Sequence, residues 1–243
     1  MKRLAVIFIA ILAVAITAAA QDEVPTISPS ATFTKPNGET ETGTECSSSA
    51  PLQARFEANP MDVGAWSENY EWRFTRVTET SREPYLVRYE RDTEYTFTQS
   101  GEHTIVCYAV FTLGNDTVAY TQNYWSDIDP LRVTIEESKL EMPNAFSPNE
   151  DDDINKIYKA KSNYQSIVEF KAVIYNRWGQ KLFEWTDPAE GWDGTYKGNP
   201  CKQGVYFVEV KAKGADGKKY HIRRDVNLLR GYKERESSGA STP

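Results

Sequence analysis

Alternation is what most constrains this chain. Val168, Phe170, Ala172 and Ile174 alternate with Glu169, Lys171, Val173 and Tyr175, which gives one apolar face and one mixed face. Side chains two apart share a face only in extended backbone, so this run reads as a half-buried strand. Further runs follow at Gln53–Ala58, Tyr70–Phe74, Glu94–Phe97, Thr104–Phe111, Thr117–Tyr120, Leu131–Ile135, Lys181–Trp185, Val205–Val210 and Tyr220–Leu229. Most are bounded by Gly, Pro, Asn or Asp, as at Gly114-Asn115-Asp116 and Ala215-Asp216-Gly217. Helical periodicity is hard to find beyond the N-terminal apolar run. The expectation is an all-β chain of two tandem β-sandwiches.

The N-terminus reads as a cleaved secretory signal spanning residues 1–20. Lys2 and Arg3 precede an almost unbroken apolar run from Leu4 to Ile16, and Ala18-Ala19-Ala20 offers the small residues of a cleavage site. The run is short for a membrane span and no Cys follows it, so neither an anchor nor a lipid attachment is expected. No later segment reads as transmembrane. The rest suits two domains of about a hundred residues each. These are residues 21–136 and 142–230, with a polar linker at 137–141 and a disordered polar tail at 231–243. A net charge of −7 disfavours nucleic acid, because phosphate binding needs a basic face. Export permits disulfides. Cys46 and Cys107 fall in the first domain and are the expected pair, with Cys201 left free. Their loop would contribute about 4 kcal/mol by chain entropy. The alternative is that Cys107 is a small buried apolar residue in its strand.

Two resemblances rest on particular residues. Trp72 on an early strand, with Phe97-Thr98-Gln99-Ser100-Gly101 leading into a long strand, resembles polycystic-kidney-disease-type immunoglobulin-like modules. The likeness covers roughly residues 28–136, and alternation places His103, Ile105, Cys107 and Ala109 on one face. In the second half, Pro143-Asn144-Ala145-Phe146-Ser147-Pro148-Asn149 comes first. Asn176-Arg177-Trp178-Gly179, Trp192-Asp193-Gly194, Gly204-Val205-Tyr206 and a closing strand ending at Arg230 follow. In combination these resemble the gliding-motility-associated C-terminal domain, the type B sorting domain of the type IX secretion system in Bacteroidetes. The sequence departs from that family at Asn149–Lys156, where Glu150 and Asp152 replace two customary glycines.

The resemblance implies a route and a partner. The signal peptide delivers the chain to the periplasm, and the type IX machinery at the outer membrane recognises the folded second domain. The chain then reaches the cell surface or the medium. The first domain is the cargo; the alternative is a surface adhesin module that binds carbohydrate or protein.

Other features carry two readings each. Asn149, Asp151, Asp153 and Asn155 space oxygen ligands as Ca²⁺ prefers, or form solvated Asx turns. Arg177 and Trp178 are a cation–π recognition pair, or Trp178 covers one end of the core. Trp66, Tyr70, Tyr124 and Trp125 form a sugar-stacking surface or pack over the sandwich. Asp116-Thr117-Val118 resembles a Bacteroidetes O-glycan acceptor at Thr117. His103 and His221 fall on separate domains and no motif pairs a nucleophile with a base, so neither an enzyme nor a cofactor is expected.

Overall fold

A computed structural model describes residues 24–77, 83–148 and 155–230. The signal segment, most of the acidic loop and the tail lie outside the described residues. The chain is all-β, with one four-residue helix, α1 (Tyr124–Asp127), among the described residues.

The first domain packs two sheets face to face. One has the order β2-β1-β4-β7, from Thr40–Gly43, Ser30–Thr34, Leu52–Glu57 and Asp92–Phe97. The other has the order β3-β10-β8-β5-β6, from Glu45–Ser48, Leu131–Ile135, Gly101–Leu113, Ser67–Arg76 and Pro84–Arg88. The long strand β8 pairs with β5 on one edge. Its other edge is shared: residues 101–105 pair with β10, and residues 109–113 with β9 (Asp116–Tyr120). Inward positions alternate as strand geometry requires, with His103, Ile105, Cys107, Ala109 and Phe111 all buried on β8. Phe56 of β4 meets Phe74 and Trp72 of β5, with ring centroids 5.4 and 5.8 Å away. These contacts join the sheets, and each fully buried large side chain stabilises by roughly 1.5–3 kcal/mol.

The same sheet order corrects the expected disulfide. Cys46 lies on β3, opposite Val133 of β10, and Val133 is opposite His103 of β8. Cys107 is thus two strands across and four residues along. Two strand spacings already exceed roughly 9 Å, whereas a disulfide needs Cα atoms within about 7 Å. All three cysteines are free, and burial raises both the Cys46 and the Cys107 thiol to about 12.

The second domain is built on one sheet of order β11-β17-β16-β12-β13. Its strands are Ala145–Phe146, Lys219–Leu228, Gly204–Gly214, Ile167–Tyr175 and Lys181–Trp185. Its inner face carries Phe170, Ala172, Ile174, Val208, Val210, Val226 and Leu228. The opposing layer is mostly irregular chain bearing Leu140, Met142, Tyr158 and Trp192. Reciprocal backbone bonds of 2.8 and 3.0 Å between Tyr158 and Trp192 hold that layer together. A small hairpin, β14 (Thr195–Tyr196) with β15 (Asn199–Pro200), completes the domain.

The two domains touch through the β16–β17 hairpin tip. Ala215 belongs to the first domain's buried cluster, and its carbonyl accepts a 3.0 Å bond from Ser100 N. Ser166 Oγ accepts from Ala50 N at 3.1 Å. Ser138 donates its hydroxyl to Asp216 at 2.8 Å, and Tyr220 donates to the Ser138 carbonyl at 2.9 Å. A Cβ added at Gly214 would lie 2.1 Å from Ser138 Oγ, so only glycine permits this approach. Residues 137–141 are therefore docked, with Ser138 and Leu140 buried and Lys139 bridging to Gln165.

Candidate functional site

The second-domain motifs gather at one end of the five-stranded sheet, away from the first domain. Register places Tyr175 opposite Phe207, Phe207 opposite Asp225, and Gly204 opposite Leu228. The hairpin tip at 215–217 is at the other end of β16 and β17. The Asn176–Gly179 turn extends past Tyr175. Asn176 Oδ1 accepts from Trp178 N and Gln180 N, both at 3.0 Å, and Gly179 takes φ +81° to close the turn. Gln180 Nε2 donates to Tyr196 OH at 3.1 Å, tying this turn to the β14–β15 hairpin.

The other motifs close the end of the core. Trp192 is fully buried against Phe146 and Tyr206, with centroids 5.4 and 5.0 Å away, and its indole donates to Thr195 O at 2.7 Å. Asp193 Oδ1 accepts from Thr195 N at 2.9 Å. Pro148, Phe146 and Leu228 crowd Gly194, each within 3.4 Å of where its Cβ would stand. Arg230 donates Nε to Cys201 O at 2.9 Å and Nη2 to Gly194 O at 3.2 Å. Tyr206 OH donates to Lys202 O at 2.7 Å. Pro143 and Asn144 offer carbonyls to Tyr158 OH and Asn227 N, each at 2.9 Å. Asn149 lies outside the described residues.

Trp178 is the correction within this set. It does not cover the core: it is 77% exposed, with the Arg177 guanidinium carbon 4.4 Å from its ring centroid. Trp192 already seals that end, and the Asn176 turn carries Trp178 beyond the sheet. Val205, Phe207 and Leu229 are exposed at the same end. On the outer face nearby, Glu209 is held down to about 2 by Arg223 and then His221.

The remaining candidates separate. Asp151 and Asp153 lie outside the described residues, whereas Asn155 offers its carbonyl to Ser147 N at 2.9 Å. No cluster of His, Cys, Asp or Glu fit for a metal occurs among the described residues. His103 is buried, which lowers its pKa. Its Nε2–H donates to Gln99 O at 3.0 Å, leaving Nδ1 to accept from Tyr85 OH at 3.1 Å. His221 pairs with Glu209 on the other domain. Thr117 is exposed at the start of β9.

The aromatic set packs instead of forming a platform. Tyr70 is buried, and Trp66, Tyr124 and Trp125 lie against the first core, with Trp125 donating to Cys107 O at 2.8 Å. A groove that the sequence did not indicate lies elsewhere. Strand β6 covers β5 only over Trp72–Thr75, leaving the edge beside Ser67–Glu71 open. A hollow of about 620 Å³ occupies that gap, lined by Asn69, Glu71, Tyr89, Arg91, Tyr108 and Thr121 among others. Loop residue Tyr89 is 73% exposed, but no local pattern distinguishes it from any other surface tyrosine.

The order of the motifs matches a known domain. Residues 140–223 match the CHU_C type IX secretion signal domain. The matched span holds the first four second-domain motifs and stops at Arg223, inside the closing strand. That match supports sorting for export by the type IX system. No curated protein matches the chain. A tetra-tandem repeat from the extending region of a large adhesion protein is similar at 12% identity and TM-score 0.25. That likeness covers 86% of this chain and 68% of the repeat. Dimeric latent PorU from Porphyromonas gingivalis is similar at 13% identity and TM-score 0.24, over 87% of this chain and 21% of PorU.

Proposed function

We propose that this is a non-enzymatic exported protein. Its CHU_C domain, residues 142–230, is recognised as a folded surface by the type IX machinery at the outer membrane. The first domain, residues 21–136, travels as cargo through the periplasm to the cell surface or medium. The carrying observation is the CHU_C match over residues whose motifs converge on one end of the sheet. Among the described residues that end holds turns, capped carbonyls and exposed apolar side chains, which suit recognition by a partner surface. The test is fractionation of a type IX-competent host expressing the full chain or a chain ending at Glu141. Surface or medium localisation only for the full chain is expected. Equal export of the truncated chain would refute the reading.

A second reading attaches to the cargo. The groove beside the open β5 edge combines exposed Tyr89 with amide, carboxylate and guanidinium groups, the mixture that a polyhydroxylated ligand can satisfy. It supports a carbohydrate-binding role for the first domain. Calorimetry of the full protein with a panel of neutral hexasaccharides tests it: heat lost in Tyr89→Ala is the expected result, and no heat with any member refutes it.

A further inference from the structure

The exposed apolar residues of the CHU_C domain are not scattered. Trp178, Val205, Phe207 and Leu229 are 77, 50, 44 and 45% exposed, and all stand at the end where β12 finishes and β16 begins. Register puts Phe207 beside Tyr175, from which the Trp178 turn springs, and Leu229 follows the residue opposite Gly204. Packing accounts for Trp192, Phe146 and Tyr206 at this end, but not for these four. A tryptophan held in water by a turn ordered with five backbone and side-chain bonds gains nothing for the fold from its size. Large exposed aromatic and aliphatic groups gathered in one patch mark interaction surfaces.

Charge narrows the occupant. Arg177, Lys197 and Lys202 are exposed around the patch and make no ion pair among the described residues. Their neighbours Lys181 and Arg223 are neutralised by Glu184 and Glu209, and Asp225 stands opposite Phe207. A basic rim on a chain of net charge −7 is a local feature, and it complements carboxylates. The opposite end of the sheet is unavailable, because Ala215 there is buried in the first domain.

We propose that the type IX machinery reads the domain at this end. The reader is a protein with an apolar pocket for Trp178 and Phe207, edged by carboxylates that face Arg177, Lys197 and Lys202. This surface rests on the sorting function proposed above and names where that function acts. It accounts for the tryptophan of the Asn-Arg-Trp-Gly turn as an anchor and for the turn's hydrogen bonds as the device that presents it.

The experiment is quantitative export of the full chain from a type IX-competent host, with thermal melting of each purified variant alongside. The variants are Trp178→Ala, Trp178→Ala with Phe207→Ser, Arg177→Glu, Arg177→Gln, Ile128→Ala as an exposed apolar residue outside the patch, and the chain ending at Glu141. Expected are export reduced at least about tenfold for the double variant at near-native melting, Arg177→Glu more impaired than Arg177→Gln, and Ile128→Ala unaffected. If the double variant melts early, Trp178→Ala alone decides, since its side chain bears little of the fold. Patch variants that export like the wild type while the truncated chain does not would overturn the surface and leave sorting intact. Export of the truncated chain would overturn both.

Discussion

Trp192 and Trp178 sit fourteen residues apart in adjacent motifs, yet the structure assigns them opposite energetic roles. Trp192 is 0% exposed, packs on Phe146 and Tyr206, and donates to Thr195 O at 2.7 Å. Its replacement by Ala removes the largest fully buried side chain of the domain and strands a carbonyl. Such truncations cost about 3–5 kcal/mol, a third or more of a typical domain's stability. Trp192→Phe keeps a ring but loses the indole bond, for a cost of roughly 1–2 kcal/mol. Trp178→Ala removes a side chain in solvent and one exposed cation–π contact, so its cost stays under about 1 kcal/mol. Urea unfolding of the full chain, followed by circular dichroism, measures all three. Acrylamide quenching should fall clearly in Trp178→Ala and hardly in Trp192→Phe. A Trp192→Ala loss below about 1 kcal/mol, or a Trp178→Ala loss above about 2, would refute the assignment of burial to these two motifs.

Three further outcomes are expected. Alkylation of the native protein should modify Cys201 first, with Cys46 and Cys107 reacting only on unfolding, and intact mass should show no disulfide; a Cys46–Cys107 crosslink would contradict the sheet order. Gly214→Ala should loosen the domain junction by about 1–3 kcal/mol through overlap with Ser138, seen as faster proteolysis between residues 136 and 141. Burial raises the Asp216 carboxyl but is outweighed by bonds from Lys218 N and from Ser138 Oγ and N, so its pKa falls below the usual 3.8. Its contribution is therefore full above pH about 4 and lost as pH falls through the lowered value. Asp216→Ala should remove that acid dependence from the junction's proteolysis rate, and an unchanged pH profile would count against the latch.

Alternation and turn residues made much of the fold legible. Leu131–Ile135 and Lys181–Trp185 are strands with the expected ends, Gln53–Ala58 and Tyr220–Leu229 each shift by one residue to Leu52–Glu57 and Lys219–Leu228, and the others gain up to four residues at an end. β1 was missed although Ala31 and Phe33 alternate as its buried positions, whereas β2 reads Thr-Glu-Thr-Gly with no buried residue and β3 has one buried cysteine between polar neighbours. Tertiary pairing makes them strands. The disulfide expectation failed because spacing along the chain says nothing of strand order, and β3 enters the sheet parallel to β10. Trp178 was open between two readings because a tryptophan beside glycine is the same string whether the turn folds over the core or away from it. Which occurs depends on Trp192, fourteen residues on, already filling the place.

The docking of Ala215 bears on how the chain could be trimmed. A protease must thread its substrate as an extended, unpaired strand, yet Ser138 and Leu140 are buried and Lys139 exchanges backbone bonds of 3.0 and 2.9 Å with Gln165. Cutting here has to wait for the halves to swing apart. A first domain freed in this way would also be scarred. Ser100 N and Ala50 N would lose their acceptors, and the socket emptied of Ala215 would open apolar wall to water, each stranded amide costing about 1–3 kcal/mol unless water reaches it. The mature fragment would thus wear a face that the precursor never shows, and any antibody or ligand specific for that face would distinguish the trimmed protein from the intact one.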